Sequence, residues 1–192
     1  MQTIEQVSKR LSSDPNWFSK CMLGVVLSII PIAHFLAFGY LLRIFQQGKA
    51  HRDIVLPEWN DLKGLFVDGL KFFVIFLIFA CIPIILMLIL VMAFPWDTFL
   101  SKVPLAPAYF LAGPLSSAAL YLYLLSGDFS SCFNIQAVIG LVKKGLNGYW
   151  VITLAFLGLL LMLPFAFFIG GVVYFYLMGR IFKNLELAAD KP

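Results

Sequence analysis

Residues 145–179 read GLNGYWVITLAFLGLLLMLPFAFFIGGVVYFYLMG and carry no charged side chain. As one α-helix these 35 residues would be about 52 Å long, against a hydrocarbon core of roughly 30 Å. A single straight span cannot use that length. Pro164 stands in the middle of the run and Gly170-Gly171 follow it. The pattern predicts a helix that enters a bilayer, breaks near Pro164 and returns.

Working outward, three more uncharged runs appear: Cys21–Leu42, Phe72–Trp96 and Val103–Gly127. The chain is 61% hydrophobic and only 12% charged, with mean hydropathy +0.94, whereas soluble domains are about 25% charged. A soluble fold of 192 residues has too little interior to hide this apolar surface, so lipid is the expected solvent. The runs do not alternate as barrel strands do, and open strands leave their backbone unsatisfied in lipid, so the expectation is helical throughout. The net charge of +4 reads as loop charge. No basic stripe interleaves with aromatics, which argues against nucleic acid and leaves the lipid bilayer as the expected partner, with a homo-oligomer possible. Cys21, Cys81 and Cys132 are too few and too scattered for a disulfide framework. A cleaved signal peptide is not expected, because no small-x-small site ends the first apolar run.

Amphipathic segments precede the apolar runs. Ile4, Val7 and Leu11 share one helical face in a surface helix over 1–13. Asp14-Pro15 then supplies an N-cap and a first-turn proline for a new helix. Pro57 opens an expected interfacial helix over 57–71, with Trp59, Leu62, Phe66 and Leu70 on its apolar face. A weaker counterpart covers 129–144. The two ends of the chain share a short pattern, Pro31 to Phe45 against Pro164 to Phe182, compatible with an internal repeat or with chance similarity in apolar sequence.

Orientation follows from Lys and Arg, which favour the cytoplasmic side in short loops. If every run crosses once, the two sides receive seven each. If the first and last runs both return to their starting side, the split is thirteen against one. The second arrangement makes Pro31 and Pro164 hairpin tips that pack against the central helices, and leaves only the segment near Pro95–Lys102 outside. The expected fold is therefore an all-α integral membrane protein forming a single domain, 1–192. Two central transmembrane helices, 67–94 and 104–126, are flanked by proline-broken hairpins at 16–46 and 147–183. Amphipathic interfacial helices lie on the cytoplasmic side, and both termini are cytoplasmic in a cell membrane. Pairs of short spans or kinked single spans remain alternatives for the first and last runs. Ala108, Ala112 and Ser116, with Gly113 and Ser117 alongside, form a small-residue stripe suited to close helix contact.

Chemistry is sparse. His34 is an ionisable group deep in an apolar run, a candidate for proton relay or anion binding, or a neutral histidine satisfied at the Pro31 break. Arg43 and Arg180 end their runs and either bind an anion or snorkel to headgroups. Asp61, Asp68 and Lys71 form a charged group near the membrane surface, read as a site or as a solvated helix face. No HExxH, GxSxG, P-loop or metal-ligand spacing occurs, so no enzyme, cofactor or metal is expected.

The stretches Gly39-Tyr40-Leu41-Leu42-Arg43, Leu56-Pro57-Glu58-Trp59-Asn60-Asp61 and Leu65-Phe66-Val67-Asp68-Gly69-Leu70-Lys71 resemble a prokaryotic membrane family, the domain of unknown function numbered four thousand and thirteen. The resemblance covers nearly the whole chain and implies a bacterial or archaeal multi-pass protein without supplying an activity. A looser likeness, around Ile30-Pro31 and Leu163-Pro164, is to the CysZ sulfate-permease family, whose hairpins only partly enter the bilayer; no binding motif transfers. Two function classes follow: a small permease or channel-like protein for ions or small solutes, and a non-catalytic membrane structural or partner-binding protein.

Overall fold

The computed structural model describes residues 3–93, 105–162 and 167–189. The breaks expected at Pro164 and near Pro95–Lys102 lie outside them. Among the described residues the regular structure is helical, without strands. Helix α1 (Ile4–Ser12) is closed by a reciprocal cap, in which the Thr3 hydroxyl accepts from the Gln6 N–H and the Gln6 side chain accepts from the Thr3 N–H. Its apolar face buries Val7 and Leu11. Asp14 accepts from the Asn16 N–H at 2.8 Å, and α2 (Trp17–Ile29) begins three residues later.

At 13 residues, α2 is about 20 Å long, too short to cross a bilayer. It ends at a turn over Ile30–Ala33 in which Ile32 takes φ 71°, a left-handed conformation unfavourable for a β-branched residue. The turn satisfies part of its own backbone: His34 N–H donates to the Ile30 carbonyl and Phe35 N–H to the Ile32 carbonyl. α3 (His34–Lys49) then packs beside α2. The expectation that this tip packs against the central helices is corrected. Ile29 and Ile32 are 63% and 69% exposed; the body of α3, not the tip, makes the contact.

The chain continues through an extended segment held by the Gln47 side-chain amide, which exchanges two hydrogen bonds with the Val55 backbone. Leu56 and Ile54 are buried along it. The helix expected from Pro57 starts instead at Leu62. Asp61 accepts from the Gly64 N–H at 3.0 Å and makes itself the N-cap, a stronger initiation signal than a first-turn proline whose following residues are engaged elsewhere. Helix α4 (Leu62–Phe76), a π-turn (Leu77–Cys81) and α5 (Ile82–Ala93) form one continuous rod, so the interfacial helix and the apolar run are a single element. The wide turn rotates the rod's face: α4 lies mainly along α3, and beyond it the rod lies on α6 (Leu105–Ser126). A 3₁₀ turn capped by Asp128 leads to α7 (Ile135–Met162), where Asn134 caps the Ala137 N–H. Helix α8 (Phe167–Ala189) closes the bundle.

Helix α3 is the hub. It contacts α4 on one side and α8 on the other, and glycines make both approaches. A Cβ on Gly39 would overlap the Leu65 carbonyl oxygen, and one on Gly69 would overlap that of Phe35. At the other crossing Gly48 faces the Tyr176 carbonyl and Gly179 the Phe45 carbonyl. Each crossing is thus reciprocal, backbone against backbone. Around them lie buried Tyr40, Leu41, Ile44, Phe45, Phe175 and Phe182. Among the described residues two helices are long and apolar enough to cross a membrane, Leu62–Ile89 and Ala106–Ser126. Only 22% of the first one's apolar window is buried within the protein.

Candidate functional site

Charged side chains gather where α3 ends and α4 begins. Asp61, fixed by its capping role, accepts from Arg43 Nη2 at 2.6 Å. About two turns along α4, Asp68 accepts from Arg43 Nε at 3.4 Å. Gly64 leaves the room, since a Cβ there would lie 2.7 Å from Arg43 Nη2. The Arg43 hydrogen bond, then the Gly64 N–H, holds the Asp61 carboxyl below its usual range. With two carboxylates on one guanidinium, Arg43 is occupied as a clamp between α3 and α4.

Three of the sequence candidates, Arg43, Asp61 and Asp68, therefore meet. Lys71 does not join them; its ammonium lies 5.9 Å from the centre of the Tyr123 ring. The His34 ring packs at 4.2–5.8 Å from the rings of Phe35, Phe38 and Phe73. Arg180 donates to the Tyr176 hydroxyl at 2.9 Å, and that hydroxyl donates to the Arg52 carbonyl. Lys71, His34 and Arg180 thus lie apart from the Arg43, Asp61 and Asp68 cluster.

The polar contacts nevertheless share one face. Lys20 pairs with Glu58 at 2.7 Å and Asp14 at 3.1 Å, and Arg10 pairs with Asp53. His51 meets Asn184 at 2.8 Å, and the Glu186 carboxylate accepts from Tyr121 and Lys183. Both ends of the described chain, the loop after α3 and the end of α6 are tied together there. Among the described residues no group of three or more His, Cys, Asp or Glu is arranged to hold a metal.

A second arrangement was not legible in the sequence. Ser117 on α6, Thr153 on α7 and Tyr174 on α8 are 0%, 2% and 1% exposed. The Ser117 and Thr153 hydroxyls lie close to that of Tyr174 but outside ordinary hydrogen-bond geometry, and all three oxygens are sealed from solvent. Gly113 admits the Tyr174 hydroxyl: a Cβ there would lie 2.5 Å from its oxygen. In the sequence Ser117 is one residue of a packing stripe, and the other two are single hydroxyls in long apolar runs.

The model of a family described as protein of unknown function (DUF4013) matches residues 22–179. The chain belongs to this family. The DUF4013 match begins inside α2 and ends inside α8, so it contains the Arg43 clamp, both glycine crossings and the three hydroxyls, and leaves α1 outside. No curated protein and no solved structure matches the chain, and the looser likeness to the sulfate-permease family gains no support from either comparison.

Proposed function

We propose that this DUF4013 chain is a multi-pass protein of a prokaryotic cell membrane and acts as a small permease or channel-like protein for ions or small solutes, not as an enzyme. The observation that carries this reading is the Ile30–Ala33 turn. It exposes isoleucines at the end of α3 remote from Lys49 and the ion-paired face, about 24 Å away along the 16-residue α3. Exposed isoleucines there suit hydrocarbon, and the ion-paired face suits a membrane surface. The lysine and arginine distribution supports a cytoplasmic position for that face and for both termini. His34 follows the turn directly, at the depth where an ionisable group is a functional candidate.

The alternative, a non-catalytic structural or partner-binding membrane protein, is favoured by the aromatic packing of His34 and the occupied Arg43 clamp. Purified protein in liposomes, screened for flux of inorganic anions, cations and osmolytes, separates the two. Flux that His34→Phe abolishes, with the melting temperature near wild type, is the expected result. No flux across the screen leaves the structural reading. Cysteine labelling of intact cells tests the orientation independently: Ser8→Cys and Ala188→Cys, on a cysteine-free background, should react only after permeabilisation.

A further inference from the structure

A pocket of about 320 Å³ opens at the ion-paired face, between the end of α6, the first turns of α7 and the end of α8. Its α7 wall is Ala137, Gly140, Leu141 and Lys144, which share one helical face at i, i+3, i+4 and i+7. A Cβ on Gly140 would meet nothing within 4 Å, so the space beside the helix is open there. Leu122 and Leu125 on α6 and Leu185 on α8 keep the other walls mainly apolar. Lys144 and its neighbour Lys143 are exposed. Neither meets a carboxylate among the described residues, whereas Lys9, Arg10, Lys20, Arg43 and Lys183 all do. We infer that this pocket is a binding site for one anionic phospholipid, with its phosphate on Lys144 and Lys143 and its glycerol and first acyl carbons against the leucines.

The occupant follows from the two halves of the lining. An inorganic anion would engage the lysines and leave the apolar walls facing water. An acyl chain alone would cover the walls and leave the lysines unanswered. A phospholipid satisfies both. Glu186, the acid in the lining, does not oppose an anion, because its carboxylate accepts from Tyr121 and Lys183 and has Lys49 close by. Four cations, Lys49, Lys143, Lys144 and Lys183, stand against that carboxylate, which favours an anionic headgroup over a zwitterionic one. The surroundings agree: Leu125, Ile139 and Leu146 are exposed, and lysines beside exposed apolar side chains suit the level where headgroups meet hydrocarbon. The inference rests on the membrane placement in the proposed function and not on transport.

Native mass spectrometry of the full-length protein in detergent tests this, with phosphatidylglycerol and phosphatidylcholine of identical acyl chains supplied in equal amounts. One phosphatidylglycerol should be retained in preference. Each lysine near an anionic headgroup is worth about fivefold in affinity, so Lys144→Gln should lower the preference by about that factor. Gly140→Leu fills the pocket while keeping both lysines, and should displace the lipid at a melting temperature that shows a folded protein. Lys63→Gln removes an exposed charge outside the pocket and should change nothing. Equal retention of the two lipids overturns the inference, as does unchanged retention in folded Gly140→Leu. The same loss in Lys63→Gln as in Lys144→Gln also overturns it, by reducing the effect to bulk surface charge. Inorganic phosphate that displaces the lipid at equal concentration identifies a plain anion site instead. Recovery of the protein in the membrane fraction of cells tests the placement by itself, and flux plays no part in the readout, so failure of the lipid site and failure of the permease reading are seen separately.

Discussion

Gly39→Ala is the most informative single substitution, because two opposing effects can be separated within the same protein. Mid-helix, Gly to Ala stabilises by about 1 kcal/mol through propensity alone. Gly140 and Gly158 isolate that term, since a Cβ at either meets nothing within 4 Å. At Gly39 the same methyl would overlap the Leu65 carbonyl oxygen, and no flexible side chain can yield. A carbon needs about 3.3 Å from a carbonyl oxygen, so α3 and α4 must part. Overpacking of this kind costs about 1–3 kcal/mol and sometimes more. The parting also loosens the Gly69 contact with Phe35 and lengthens the Arg43 bonds to Asp61 and Asp68. We expect a net loss of about 2 kcal/mol for Gly39→Ala and a gain of about 1 for Gly140→Ala, a spread of roughly a hundredfold in the unfolding equilibrium constant. Equilibrium unfolding in mixed detergent micelles, followed by circular dichroism, measures both. The double variant Gly39→Ala/Gly69→Ala should lose less than the sum, because one separation relieves both overlaps. If Gly39→Ala is as stable as Gly140→Ala, the backbone-to-backbone crossing is not there.

The polar face gives a pH prediction. Glu186 is held below its ordinary value of 4.5, first by the Tyr121 hydroxyl and then by Lys183 and Lys49. Its stabilisation is thus full above that ordinary value and lost as pH falls through the depressed one. Acid titration of the melting temperature should show this loss, and Glu186→Gln should flatten it. Asp61→Asn keeps a capping oxygen while losing the charge, so it should retain more stability than Asp61→Ala, read by melting temperature. Ser116→Leu, at a position with no exposed surface, should destabilise by about 1–3 kcal/mol in detergent unfolding, whereas unchanged stability would show that this face of α6 meets no neighbour.

Helix formation was legible because long uncharged runs without strand-like alternation have few other ways to satisfy their backbone, and the described residues of the four runs are helical apart from the Ile30–Ala33 turn and Gly127. Element starts were less legible. The motif Leu56-Pro57-Glu58-Trp59 looks like a helix beginning, but Leu56 is buried and its carbonyl takes Lys20, while Trp59 stacks on Tyr40 at 4.4 Å. These long-range contacts hold the segment extended until Asp61 can cap. The Arg43 clamp was not legible as such: the sequence marks Arg43 as an anion ligand or a snorkelling residue and Asp61 and Asp68 as a separate group, and only the packing of α3 on α4 makes them partners. Lys71 misled because i, i+3 proximity to Asp68 says nothing about which way a long side chain turns. The hydroxyl cluster was not legible, since Ser117, Thr153 and Tyr174 are brought together only by the packing of three helices.

The two reciprocal glycine crossings on α3 have a consequence for biogenesis. The α3–α4 crossing is encoded within about thirty residues and can close as soon as both helices have left the ribosome. The α3–α8 crossing joins Gly48 to Tyr176 and Phe45 to Gly179, so one flank of the hub waits for nearly the whole chain to be synthesised. Until then Gly48 offers a bare backbone surface to any passing helix. Chains that stall before Gly179 would carry a closed first half and an open hub, which makes them substrates for quality-control proteases rather than partial versions of the protein.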